Sequence, residues 1–134
     1  MNNVEEQQFA YNLIRNDVLR HILGKEHDAL LYWTGKALAR THSLPSQEAL
    51  PDFFRQAQWG TLQLIKQKRN EYTYLLEGEW MGKDDTRCYQ LEAGFLAEQF
   101  ERWLEHTVIV HCTIKKKSTM FTVHIDKSET LLID

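Results

Sequence analysis

Long apolar runs are missing from this 134-residue chain. The longest span about five residues, as at 29–33, whereas a membrane helix needs about twenty. Excess basic charge is missing too. Sixteen Lys and Arg stand against nineteen Asp and Glu, a net charge of −3, and a nucleic-acid surface normally declares itself by the opposite imbalance. Only two cysteines occur, Cys88 and Cys112, and neither belongs to a CxxC pair. Two prolines and six scattered glycines rule out collagen-like and linker-like character. No G-x-G-x-x-G, Walker or G-x-S-x-G motif is present, so standard nucleotide loops and the nucleophile elbow are excluded. The start, MNNVEEQQ, has acid where an export signal needs base and an apolar stretch. The expected location is therefore cytoplasmic, with both thiols reduced and used for packing.

What is present is ordinary globular composition, 43% apolar and 26% charged. A chain of this length can bury roughly two-thirds of its unfolded surface. The expectation is a single domain over 1–134, with its core at about 9–126.

Helical periodicity comes first. Residues 4–23 carry Tyr11, Ile14, Val18 and Ile22 at spacings of three and four, one helical face that Leu13, Leu19 and Leu23 widen. Residues 28–42 form a second helix covered in apolar side chains, capped by Asp28. Gly35 lies inside it, a cost of about 1 kcal/mol relative to Ala, which suggests close approach by another backbone or a ligand. A short third helix spans 46–58 and properly begins at Pro51.

The period then changes to two. Leu62, Leu64, Tyr72, Tyr74 and Leu76 mark a hairpin, and a three-residue loop, Arg69-Asn70-Glu71, would pair Leu64 with Leu76. Residues 88–105 return to a helical stripe of Tyr89, Ala93, Leu96, Phe100 and Trp103. The final hairpin alternates Val108, Val110, Cys112 and Ile114 against Phe121, Val123 and Ile125. A turn at Lys117-Ser118 would set Ile114 opposite Phe121 and Cys112 opposite Val123. The expected fold is α+β, with helices on one face of a four-stranded antiparallel sheet in the order α-α-α-β-β-α-β-β.

Three motifs carry a family likeness: Tyr32-Trp33-x-Gly35-Lys36-x-Leu38-Ala39-Arg40, Trp59-Gly60-Thr61-Leu62, and Leu91-Glu92-Ala93-Gly94-Phe95-Leu96-Ala97-Glu98-Gln99. With them the chain resembles the YslB-like family of small bacterial cytosolic proteins of unknown function. More distantly it resembles the fold of 4-vinyl-reductase domains, TRAPP trafficking subunits and haem–NO-binding sensors. That resemblance implies a ligand-binding or protein-interaction module, and a homodimer. The 4-vinyl-reductase pattern tends to carry cysteines in the last hairpin. Here Cys112 matches loosely and position 120 is Met, which argues against a cysteine-ligated metal.

Candidate sites follow. Trp33, Gly35, Trp59, Tyr72, Tyr74, Gly94 and Phe95 are the residues that could line an apolar ligand cleft between helices and sheet, with core filling as the plainer reading. Lys36, Arg40 and Glu92 lie in the most apolar segments, so an ion pair between the second and fourth helices, Lys36 or Arg40 with Glu92, is expected. His111 and His124 should face each other on the outer sheet surface without a third metal ligand beside them. Cys88 near a helix start can have a lowered pKa, although capping or packing is the simpler role. His21, His27 and His42 are tied to no recognisable pocket, so no haem and no other cofactor is expected. The overall expectation is a non-enzymatic module, the alternative being a small metal- or thiol-dependent enzyme built on His111, His124 or Cys112.

Overall fold

The computed structural model describes the backbone of residues 3–82 and 84–130, and side chains within 5–82 and 84–127. The first helical arm comprises α1 (Asn3–Asn12), a π-helical stretch (Leu13–Val18) and α2 (Leu19–Leu23). A 3₁₀ turn (Gly24–Glu26) reverses the chain into α3 (His27–Thr41). Another 3₁₀ turn (Gln47–Ala49) leads to α4 (Leu50–Gln56), where proline occupies the first helical turn as expected. Strands β1 (Thr61–Lys68) and β2 (Glu71–Glu77) precede α5 (Gln90–Leu104), and β3 (His106–Ile114) and β4 (Thr119–Thr130) follow it. The element order is the expected one. The sheet is antiparallel, in the spatial order β1-β2-β4-β3.

Helix α5 is central. Every residue from 91 to 100 is buried, because the sheet covers one side and α3 the other. The helical layer on this sheet face is thus two deep. Its closest point is a crossing of two glycines. A Cβ on Gly35 would lie 2.1 Å from the Leu91 carbonyl oxygen, and one on Gly94 would lie 2.0 Å from the Tyr32 carbonyl oxygen. The close approach anticipated at Gly35 is made by backbone. Contacts advance together along both helices, with Gly35 against residues 91–95, Arg40 at Glu98 and His42 at Gln99. The two helices therefore run side by side in the same direction.

Both hairpins keep the expected inward faces but change register. The first turn has two residues, Arg69-Asn70, pairing Lys68 with Glu71. Continued unbroken, that register would set Leu64 on the wrong side. An irregularity between Leu64 and Lys66 takes up Ile65 and restores Leu64↔Tyr74 and Leu62↔Leu76. The expected Leu64–Leu76 pair is thereby corrected. In the second hairpin Cys112 pairs with Phe121 and Val110 with Val123, two residues from the expected alignment. A two-residue shift preserves the face, since side chains alternate with period two. The turn closes through Lys115 N–H donating to the Ser118 carbonyl at 2.8 Å.

The first arm corrects another expectation. Ile14 and Ile22 are 59% and 68% exposed, while Arg15 is 3% exposed. Its inward stripe is Tyr11, Arg15, Leu19 and Leu23: the expected Tyr11, Leu19 and Leu23 do pack inward, but Arg15 takes the place expected of Ile14, Val18 and Ile22.

Gly94→Ala must force two backbones apart, so it is expected to destabilise the fold by about 3 kcal/mol. Denaturant unfolding at equilibrium measures this, and an unchanged midpoint contradicts the crossing.

Candidate functional site

The seven cleft candidates are not gathered into one pocket. Gly35 and Gly94 meet the opposing helix backbone. Trp33 lies outside, 62% exposed, with Lys36 Nζ 5.8 Å from its ring centre. Trp59 and Phe95 join Phe53 and Phe54 in a cluster where Phe53 stacks on Phe95 at 4.5 Å. Tyr72 and Tyr74 sit on the sheet against Phe100. The space between helices and sheet thus holds rings at these positions. Two open hollows lie elsewhere, and none of the seven lines either. The larger, about 780 Å³, is bordered by Arg55, Gln58, Glu77, Glu79, Trp80 and Lys117.

The ion pairs are redistributed. Glu92, fully buried, accepts from Arg15 at 2.5 Å. Lys36 binds Glu101 at 2.9 Å, and Arg40 binds Glu98 at 3.3 Å. The expected Lys36 or Arg40 pairing with Glu92 is therefore corrected. Because α3 and α5 run in one direction, Lys36 and Arg40 project toward the later turns of α5. Glu92 instead meets the first arm.

Around Glu92 lies a buried polar cluster that the sequence did not reveal. Arg15 also donates to Tyr11 Oη at 2.8 Å and to the Cys88 carbonyl at 2.9 Å. Burial works against its charge, but attraction to Glu92 and Tyr11 prevails and raises its pKa. Arg87 donates to Asn12 and lies 4.0 Å from the Trp80 ring centre. Burial and then the like charge of Arg15 lower its pKa. Tyr89 donates to Asp85 at 2.6 Å and accepts from Trp80 Nε1 at 3.0 Å. The available signal was Glu92 itself, an acid in an apolar helix that demands a cation.

The thiols are free. Burial pushes the Cys88 pKa up to about 11 and that of Cys112 up to about 12. The lowered pKa considered for Cys88 is thus corrected, since burial outweighs the hydrogen bond from Gln90 N–H. His111 lies across from Thr122, and His124 across from Ile109 and Glu71. The expected face-to-face pairing of the two histidines becomes a diagonal one, with ring centres 5.1 Å apart. His27, Asp28 and Cys88, by contrast, converge at the starts of α3 and α5.

Exposed apolar side chains concentrate on the helical elements at the start of the chain. Among the described residues, seven of the ten exposed large apolar side chains lie on the first arm and α3. Phe9, Leu13, Ile14, Val18 and Ile22 occupy the arm, and Leu30 and Trp33 occupy α3.

Comparison with known proteins agrees with this architecture. Residues 8–126 match the family described as "Protein of unknown function (DUF2507)". Over 122 residues the chain is 37% identical to "Uncharacterized protein YslB" of Bacillus subtilis (strain 168), covering 88% of this chain and 82% of that protein. Among solved structures it is similar to a vinyl-4-reductase family protein from Methanocaldococcus jannaschii. The TM-score is 0.61 at 21% identity, covering 94% of this chain and 83% of that one. At that identity the likeness is one of fold.

Three outcomes are expected. Glu92→Gln strands Arg15 in the interior and is expected to cost about 3–5 kcal/mol, measured by denaturant unfolding. A Lys36/Glu92 double-mutant cycle should give no coupling, and a clear coupling contradicts the assignment. Alkylation of the folded protein's thiols should be slow at pH 7 and climb through about pH 11, because a raised pKa keeps each thiol protonated below it. Rates equal to those of the unfolded chain at pH 8 contradict it.

Proposed function

The chain belongs to the DUF2507 family of unknown function, and from that premise we propose that it is a non-enzymatic binding module acting by association. Its partner is a second copy of itself, received on the face formed by the first helical arm and α3. The observation that carries this reading is the concentration of exposed apolar side chains there, including Phe9, Ile14, Ile22 and Trp33. Large apolar patches on folded domains mark interaction sites, and a two-fold dimer lets one patch serve both partners. A partner also supplies a reason for the arm to turn Ile14, Val18 and Ile22 outward while Arg15 goes inward. Protonated thiols support the absence of nucleophilic chemistry.

A second reading, small-molecule binding, draws support from the cleft beside Trp80. It shifts the ligand from the ring-filled interior to an open hollow bordered by Arg55, Glu77, Glu79 and Lys117.

Analytical ultracentrifugation and native mass spectrometry test both. The expected result is a dimer of bare chains, converted to a folded monomer by the double substitution Val18→Glu/Ile22→Glu with an unchanged circular dichroism spectrum. A monomer at high concentration overturns the dimer. A co-purifying small molecule lost on Trp80→Ala moves the role to the cleft.

A further inference from the structure

We propose that His27, Asp28 and Cys88 form a site for one borderline-soft divalent cation, Zn²⁺ by its donor set, with a fourth position open to water. The residues are remote in sequence. The parallel course of α3 and α5 brings their starting ends together, and with them these three side chains. A ring nitrogen of His27, a carboxylate oxygen of Asp28 and the Cys88 sulfur all lie within 4.8 Å of one another. Asp28 Oδ1 stands 2.8 Å from His27 Nδ1. Three donor groups thus border one small space, and a single cation placed there would bind all three.

The His27 ring is 5% exposed. Its Nδ1 meets Asp28, while its Nε2, on the other edge of the ring, has no hydrogen-bond partner and is left to carry the ring proton when Nδ1 binds a cation. Two arginines lie near. Arg15, which reaches the Cys88 carbonyl, is paired with Glu92 at 2.5 Å, and Arg20, which acts on Asp28, donates to the Thr86 carbonyl.

The donor chemistry selects the metal. One nitrogen, one oxygen and one sulfur suit Zn²⁺, whose water-bearing sites use three protein ligands. Mg²⁺ and Ca²⁺ prefer oxygen alone. The exposed side chain of Asp28, 73% accessible, leaves a path from solvent. Binding expels the thiol proton to water and leaves a thiolate on the metal. The site is separate from His111 and His124 and does not depend on the dimer.

The test uses the full chain without a histidine tag, stripped by chelation and titrated with Co²⁺ under absorption spectroscopy. One equivalent should bind, with a thiolate-to-cobalt charge-transfer band that Zn²⁺ then erases. Cys88→Ser should abolish the band. Asp28→Asn, at an exposed position, should weaken binding at least about tenfold. Cys112→Ser and His111→Ala should leave both unchanged. Zn²⁺ should raise the Tm of the native chain and not that of Cys88→Ser. No band, a band that persists in Cys88→Ser, or a band lost with Cys112→Ser overturns the proposal.

Discussion

The structure depends on one contact, the crossing of α3 and α5 where Gly35 and Gly94 lie against each other's helix backbones. Two helices ordinarily pack 8–10 Å apart, held off by side chains. With none at these two positions the backbones approach until a single Cβ would overlap a carbonyl oxygen. That approach completes the enclosure of α5 between α3 and the sheet. It offsets the cost of glycine inside both helices, since what each loses in local propensity returns as burial of residues 91–100.

The enclosure has an electrostatic consequence. A helix buried on all sides still carries Glu92, Glu98 and Gln99 inward, so each must find a partner. Arg15 reaches Glu92 from the first arm, Arg40 and Lys36 gather at Glu98 and Glu101, and Gln99 donates to the His42 carbonyl at 2.9 Å. These pairs fix how the helices lie around α5 more than they add net stability. The first arm is the clearest case. It turns Arg15 toward Glu92, and its apolar stripe is left facing out, which creates the surface assigned to association.

The layers were legible in the sequence because they follow from period. Alternation gave the inner sheet face from Leu62 to Ile125, and Gly35 inside α3 announced a close approach by another backbone or a ligand. Register was not legible, because parity fixes only the face. A shift of two residues in β3–β4 leaves every side chain on its side, and the irregularity at Ile65 depends on a turn one residue shorter than expected. Ion partners were not legible either, since choosing among Arg15, Lys36 and Arg40 for Glu92 requires the relative direction of α3 and α5. The convergence of His27, Asp28 and Cys88 rests on that same direction, and no local spacing signals it.

Native-state hydrogen exchange tests the central claim most directly. If α5 is the enclosed element on which the fold depends, amides of residues 91–100 exchange only through global unfolding, with protection equal to the full stability of the domain. Exchange of those amides ahead of the β3–β4 ladder would contradict the account.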